Sequence, residues 1–175
     1  MAIGDVNGDR VGDLIVAAGF GGGPRVAGFD GSSLLGGKPV KLFADFFTFE
    51  ATLRNGVFLA AGDLNGDGAA EVVAGGGPGG GPRVTAFDGR GLAASGGPTP
   101  VANFFAGDPE TRGGVRVAVK NLDGDSRADL VVGAGTASGS RVTAYLGKAV
   151  PTTGQPTEQF AFDALAGFNG GVFIG

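Results

Sequence analysis

Three short stretches of the chain place oxygen-bearing side chains at alternate positions. The first holds Asp5, Asn7, Asp9 and Asp13, the second Asp63, Asn65, Asp67 and Glu71, and the third Asn121, Asp123, Asp125 and Asp129. Counted from the first residue of each, side-chain donors stand at positions 1, 3, 5 and 9. The backbone carbonyl of position 7 (Val11, Ala69 or Arg127) can add another. Alternating carboxylates and amides on a tight turn converge on one point, and five or six hard oxygens on a flexible loop suit Ca²⁺ at about 2.3–2.6 Å. Mg²⁺ asks for a tighter octahedron and more water. The chain has no His and no Cys, so imidazole-seeking and soft metals have nothing to hold them. The expectation is one Ca²⁺ per loop, up to three in all.

The plainer alternative is a set of Asx-type hairpin turns, with Asp and Asn bonded only to nearby backbone. The acid at position 9 favours the metal. It opens the next apolar strand in all three loops, where a bare turn has no evident use for it. Charge density agrees. The loops hold nine of the 17 acidic residues, and carboxylates a few ångströms apart repel by about 1 kcal/mol or more per pair without a cation. An ion bound only by the folded loop stabilises the fold by mass action. EF-hand geometry is excluded. Position 12 holds Val16, Ala74 or Val132 in place of a bidentate Glu, and the flanks read as strands.

The elements that carry these loops are repeated. Each loop follows the last by 58 residues, and the same offset relates Arg25-Val26, Arg83-Val84 and Arg141-Val142. It also relates Gly31, Gly89 and Gly147, and Phe46, Phe104 and Phe162. The 175 residues include 38 glycines and 9 prolines, which cut the apolar sequence into short segments and exclude long helices. In the second unit four strands are predicted, over 56–62, 71–75, 83–87 and roughly 101–106. Four short strands per repeat point to an all-β fold, a β-propeller of four-stranded antiparallel blades. Three repeats make a partial propeller or half of an assembled one. The predicted units are approximately 2–59, 60–117 and 118–175, with a C-terminal strand at 172–175 matching the start of the next blade. Phe29, Phe87 and Tyr145 share one position in the repeat, and Phe46, Phe104 and Phe162 another. Both sets are expected to pack between neighbouring blade faces. Gly19, Gly77 and Gly135 are expected where backbones approach closely.

Composition removes several function classes. The net charge of −4 with no basic cluster is a poor match to nucleic acid. No run approaches the roughly 18 apolar residues of a membrane span, and no signal peptide opens the sequence. The glycine runs lack the Gly-Lys-Ser/Thr of a phosphate loop. No hydroxyl has a His or a motif beside it, and the same carboxylates return in every unit, as structural ligands do. The chain is therefore expected not to be an enzyme.

The Asp-x-Asn-x-Asp-x-x-x-Asp loop, the segments 20–24 and 75–82, and the Arg-Val-x-x-Phe-Asp-Gly strands resemble FG-GAP/VCBS-type repeats. Such repeats are the blades of integrin-α-like propellers and of bacterial surface proteins. The resemblance covers nearly the whole chain. It implies Ca²⁺ between the first two strands of each blade, an extracellular or cell-surface location, and an adhesive or scaffolding role. The implied partner is a protein or glycan on the cell surface, met by a homodimer or by part of a longer propeller chain. The third unit departs from the pattern at 136–140 and at Tyr145-Leu146-Gly147. Two alternatives stay open: a calcium-dependent, lectin-like propeller, and a non-catalytic fragment of a larger surface enzyme. The segments that vary between units, 32–39, 90–100 and 148–159, are the expected recognition surface.

Overall fold

The computed structural model describes residues 1–94, 96–150 and 152–175. Ser95 and Pro151, which fall in two of the variable segments, lie outside the described residues. The fold is all-β and built of three four-stranded antiparallel sheets. The first contains β1 (Ala2–Gly4), β2 (Asp13–Ala17), β3 (Arg25–Phe29) and β4 (Lys41–Phe47). The second contains β5 (Val57–Gly62), β6 (Glu71–Gly76), β7 (Arg83–Phe87) and β8 (Pro100–Phe105). The third contains β9 (Val115–Lys120), β10 (Asp129–Ala134), β11 (Arg141–Tyr145) and β12 (Phe160–Asp163). Strand order follows chain order in every sheet, and no sheet closes on itself.

The sheets begin at β5 and β9, so cuts at 59/60 and 117/118 pass through strands. Residues 171–175 carry no strand pairing, although Val172 N–H donates to the Ala134 carbonyl at 3.0 Å. Val57 N–H donates to Ala18 in the same way at 3.1 Å. Between third and fourth strands the variable segments hold two short helices, α1 (Gly31–Leu35) and α2 (Gly89–Ala93), and one turn of 3-10 helix, Gly147–Ala149.

Apolar side chains from adjacent sheets meet in two layers. Val6, Ile15, Val26, Phe43, Phe46, Val72 and Phe87 fill the first. Val73, Val84, Phe104, Val115, Leu130 and Tyr145 are prominent in the second. Four of the six repeated aromatics pack between sheets. Phe46 meets Phe87 edge-on with centroids 4.9 Å apart, and 58 residues later Phe104 meets Tyr145 at 5.2 Å. Such pairs add about 0.5–1.5 kcal/mol beyond the area they bury. Phe162, at the matching position of the third sheet, is exposed.

Backbone bonds tie the loop ends together. Ala70 N–H donates to the Asp5 carbonyl and Ala128 N–H to that of Asp63, both at 2.6 Å. The close packing explains Gly31, Gly89 and Gly147. A Cβ at these positions would overlap the carbonyl oxygens of Gly12, Ala70 and Ala128. Gly77 and Gly135 are likewise pressed against the backbone of Asn55 and Gly113, whereas Gly19 has open space where its Cβ would be.

Candidate functional site

All three acidic loops join the first strand of a sheet to the second. Their backbone is fixed by a ladder of side-chain acceptors. The residue at position 1 holds the turn from inside: Asp5 Oδ1 accepts from Gly8 and Asp9 N–H, and its Oδ2 from Arg10 N–H. Asp63 does the same for Gly66, Asp67 and Gly68. Asn121 keeps only the bond from Gly124 N–H, and its amide donates to the Asp125 carbonyl. Position 3 (Asn7, Asn65, Asp123) accepts from the N–H of position 5, at 2.8–3.2 Å. Position 5 (Asp9, Asp67, Asp125) accepts from the N–H of Val11, Ala69 or Arg127. Position 4 is Gly8, Gly66 or Gly124 with φ of 77–82°, the left-handed region that glycine enters without steric penalty.

Position 9 has a structural use that the sequence argument missed. Asp13, Glu71 and Asp129 are buried. Asp13 accepts from Val6 N–H on one oxygen and Gly31 N–H on the other, both at 2.9 Å. Asp129 repeats this with Leu122 and Gly147. Each acid therefore pins its loop to the start of the segment after the third strand. Burial raises the Asp13 pKa, and its backbone bonds work the other way. Glu71, one methylene longer, turns back on its own loop instead. It accepts from Leu64 N–H at 2.7 Å and from the Asn65 side-chain amide at 2.8 Å. The position-9 acid is thus no independent sign of a metal.

The loops differ in what faces the carboxylates. In the second, Asp67, Glu71 and Asp88 each offer an oxygen within 4.8 Å of the others. Among the described residues no other three acidic side chains come so close, so Asp5, Asp9 and Asp13 do not, nor do Asp123, Asp125 and Asp129. Burial pushes Glu71 up to about 7, and the charges of Asp67 and Asp63 add to the shift. Asp88 was not anticipated. Its Phe-Asp-Gly context reads as a turn, and its counterpart Asp30 does cap α1 by accepting from Ser33 N–H. Asp88 makes no such cap bond to α2, which leaves its carboxylate available to the acidic group.

The residue after the repeated glycine also matters, and it too was missed. It is Ser32, Arg90 or Lys148 in the three units. Arg90 donates to the Asp67 carbonyl at 2.7 Å and stands 3.5 Å from its carboxylate. The Lys148 ammonium lies 2.5 Å from Asp123 and 3.5 Å from Asp125. It holds the Asp123 carboxyl below the usual range. The hard-oxygen donors suit a divalent cation in the second loop, where the acidic group could hold a metal ion. Asp67, Glu71 and Asp88 would be its charged ligands.

The glycine-rich connections lie at the other end of the sheets. A cleft of about 340 Å³ opens there between the first and second sheets, lined in part by Phe49, Arg83, Phe105 and Arg112.

No family model matches this chain, and no curated protein does. Among solved structures it is similar to the rhamnogalacturonan lyase PL11 of Bacillus licheniformis, at 17% identity and a TM-score of 0.58, over 95% of this chain and 34% of that one. Rhamnogalacturonan lyase YesW is similar at 17% identity and a TM-score of 0.53, over 94% and 34%. The exotype rhamnogalacturonan lyase YesX is similar at 17% and 0.55, over 95% and 33%. The chain thus spans about a third of the length of the structures it matches, and the likeness is one of fold. The expected kinship with FG-GAP/VCBS repeats and integrin-α-like proteins is overturned by these findings, and the adhesive role that came with it is not carried forward. The motifs behind that resemblance meet local backbone needs, namely Asx ladders, left-handed glycines and glycines pressed against carbonyls. Any stack of such sheets has the same needs. Among the described residues no helix is long and apolar enough to cross a membrane.

Proposed function

We propose that this chain is a calcium-stabilised, non-catalytic β module of a larger extracellular protein that acts on or binds carbohydrate. One observation carries the calcium reading. Asp67, Glu71 and Asp88 converge within 4.8 Å on a turn whose backbone is already set by other bonds. A divalent ion there would turn mutual repulsion into attraction without rebuilding the loop. The second loop is the strongest site, the first is weaker, and Lys148 neutralises the third. The carbohydrate reading is supported by the fold shared with the lyases. The module is read as non-catalytic because equivalent carboxylates serve the same backbone role in each unit. The three sheets are read as successive blades of a radial array, since β1, β5 and β9 lie side by side and the aromatic contact repeats between sheets.

Calcium titration of the purified chain by calorimetry, paired with thermal unfolding in calcium and in chelator, tests this. The expected result is one well-defined binding event, lost in Asp88→Asn, and a melting temperature that falls in chelator. Unfolding curves that overlay in the two conditions would sink the calcium reading. The carbohydrate reading is tested separately on a glycan array, and retention of no glycan at all would count against it.

A further inference from the structure

The cleft of about 340 Å³ between the first and second sheets has a backbone floor, apolar walls and a charged mouth. Glycines 76, 77 and 79–81 form the floor and bring no side chain into it. The walls are Phe49 and Leu53, which follow β4, and Phe105 at the end of β8. Phe105 is 39% exposed and Leu53 37%, so solvent reaches the cleft. Phe105 lies close on the floor, since a Cβ at Gly81 would come within 3.2 Å of its ring.

Two guanidinium groups stand among these walls. Arg83 lies over Phe49, 5.5 Å from the ring centre. Its Nε donates to Asn103 at 3.0 Å and its Nη1 to Glu50 at 2.9 Å. Arg112 Nη1 donates to the Pro109 carbonyl at 2.7 Å and to that of Thr111 at 2.9 Å. The Arg112 carbonyl in turn accepts from Gly79 N–H at 2.7 Å, which ties this segment to the floor. Both groups are held by these bonds, and among the described residues Arg83 Nη2 and Arg112 Nε make no hydrogen bond.

The repeat supplies a comparison inside the molecule. A cleft of about 230 Å³ stands at the equivalent place between the second and third sheets. Pro82, Gly114 and Arg141 line it as Pro24, Gly56 and Arg83 line the first. Yet Gly107, Asp108 and Thr111 replace Phe49, Glu50 and Leu53, and Asp163 replaces Phe105. Two sheets therefore pack at this end without aromatic walls. The apolar side chains of the first cleft are surplus to stacking, and partly exposed apolar side chains around a concavity are characteristic of a ligand site.

Its shape and charge narrow the ligand. The volume is near the lower end of the roughly 300–1,000 Å³ of ligand pockets, which suits one ring with a short tail. Two phenyl walls favour a flat aromatic ring, stacked with an offset or met edge-on. Two guanidinium groups face a single lining carboxylate, Glu50, which is already paired with Arg83. The open donors at the mouth thus suit an anion, and a carboxylate matches a guanidinium edge in shape as well as charge. We infer that this cleft binds a small aromatic carboxylate, with its ring against Phe49 and Phe105 and its carboxylate on Arg112. This goes beyond the calcium and carbohydrate readings and depends on neither.

The test is calorimetric titration of the whole chain, in calcium, with phenylacetate, methyl phenylacetate and acetate. Phenylacetate is expected to bind saturably, its neutral ester about tenfold more weakly, and acetate not to bind. Arg112→Gln should bring phenylacetate down to the level of the ester and leave the ester unchanged, as loss of one charge-assisted bond predicts. Phe49→Ala and Phe105→Ala should each weaken acid and ester alike by about tenfold. Both are expected to fold, since the second cleft has no aromatic at either place, and circular dichroism checks this. The proposal is overturned if phenylacetate does not bind the wild-type chain or if the ester binds as tightly as the acid. It is overturned equally if the folded variants bind phenylacetate as well as wild type. Asp88→Asn, which removes the calcium event, should leave phenylacetate binding unaltered, so failure here is distinct from failure of the calcium reading.

Discussion

The second and third acidic loops share a backbone and differ in how far their charges are balanced. In both, a glycine at position 4 takes a left-handed conformation, positions 3 and 5 accept from N–H groups two residues on, and a buried acid at position 9 anchors the turn. Yet the second loop gathers a further carboxylate from Asp88, where the third unit has Leu146. The third draws an ammonium, Lys148, between Asp123 and Asp125, whereas the second sets Arg90 3.5 Å from Asp67 only. Burial, with the charges of Asp67 and Asp63, pushes Glu71 up, and the bond from Lys148 holds Asp123 down. Turn geometry and charge balance are thus separate properties. The first comes from residues inside the loop, the second from residues after the third strand.

The largest effect is expected where the loops are alike. Asp129→Ala strips an acceptor from Leu122 and Gly147 N–H groups, and Glu71→Ala strips one from Leu64 and Asn65. At about 1–3 kcal/mol for each donor left buried and unpaired, each substitution should cost about 2–5 kcal/mol. Urea unfolding in chelator measures this. If position 9 mattered only through a metal, the two variants would unfold like wild type in those conditions.

The next effect sharpens the contrast. Lys148→Ser should turn the third loop from self-neutralised to cation-seeking, adding a second calcium event in calorimetry. An unchanged calcium stoichiometry in Lys148→Ser would break the comparison.

Much of this was legible in the sequence, because the fold is built of local signals. Strands were visible where branched and aromatic residues alternate between turn signals, so β7 emerges at its predicted bounds and β5 and β6 within a residue of theirs. The position-1, -3 and -5 residues were found because an Asx ladder lies within a few residues of chain. Less legible were contacts closed by the fold. Asp88 reaches Glu71 from 17 residues away, and Lys148 reaches Asp123 from 25. The contacts of Arg116 with the Phe58 and Phe173 rings are likewise made only by the fold. The family resemblance failed for a related reason: short motifs record the needs of a turn, and those needs are not unique to one lineage.

A smaller effect isolates the charge of the second loop. Glu71 moves from an ordinary value of 4.5 to about 7 on folding. Between those values the folded chain binds more protons than the unfolded one. Its contribution is therefore most favourable below the unfolded pKa, and metal-free stability should fall as pH rises from 4.5 through 7. Glu71→Gln should flatten that slope in chelator. An equal slope in the variant would place the titration elsewhere.

The smallest effect concerns position 6, where the identity of position 1 reaches the backbone. In the first and second loops the N–H of position 6 donates to the second carboxylate oxygen of position 1, and both residues are left-handed: Arg10 at φ 71° and Gly68 at 86°. In the third loop Asn121 presents an amide in place of that oxygen, and Ser126 has no positive φ. A carboxylate at position 1 thus draws position 6 into a conformation that costs a non-glycine residue about 1–2 kcal/mol. Arg10→Gly should remove that strain and return part of it as unfolded-chain entropy, for a net gain of about 0.5 kcal/mol. Ser126→Gly has only the entropic loss and should destabilise by about 0.5–1 kcal/mol. Opposite signs in paired thermal unfolding support the link between position 1 and position 6, and equal signs would remove it.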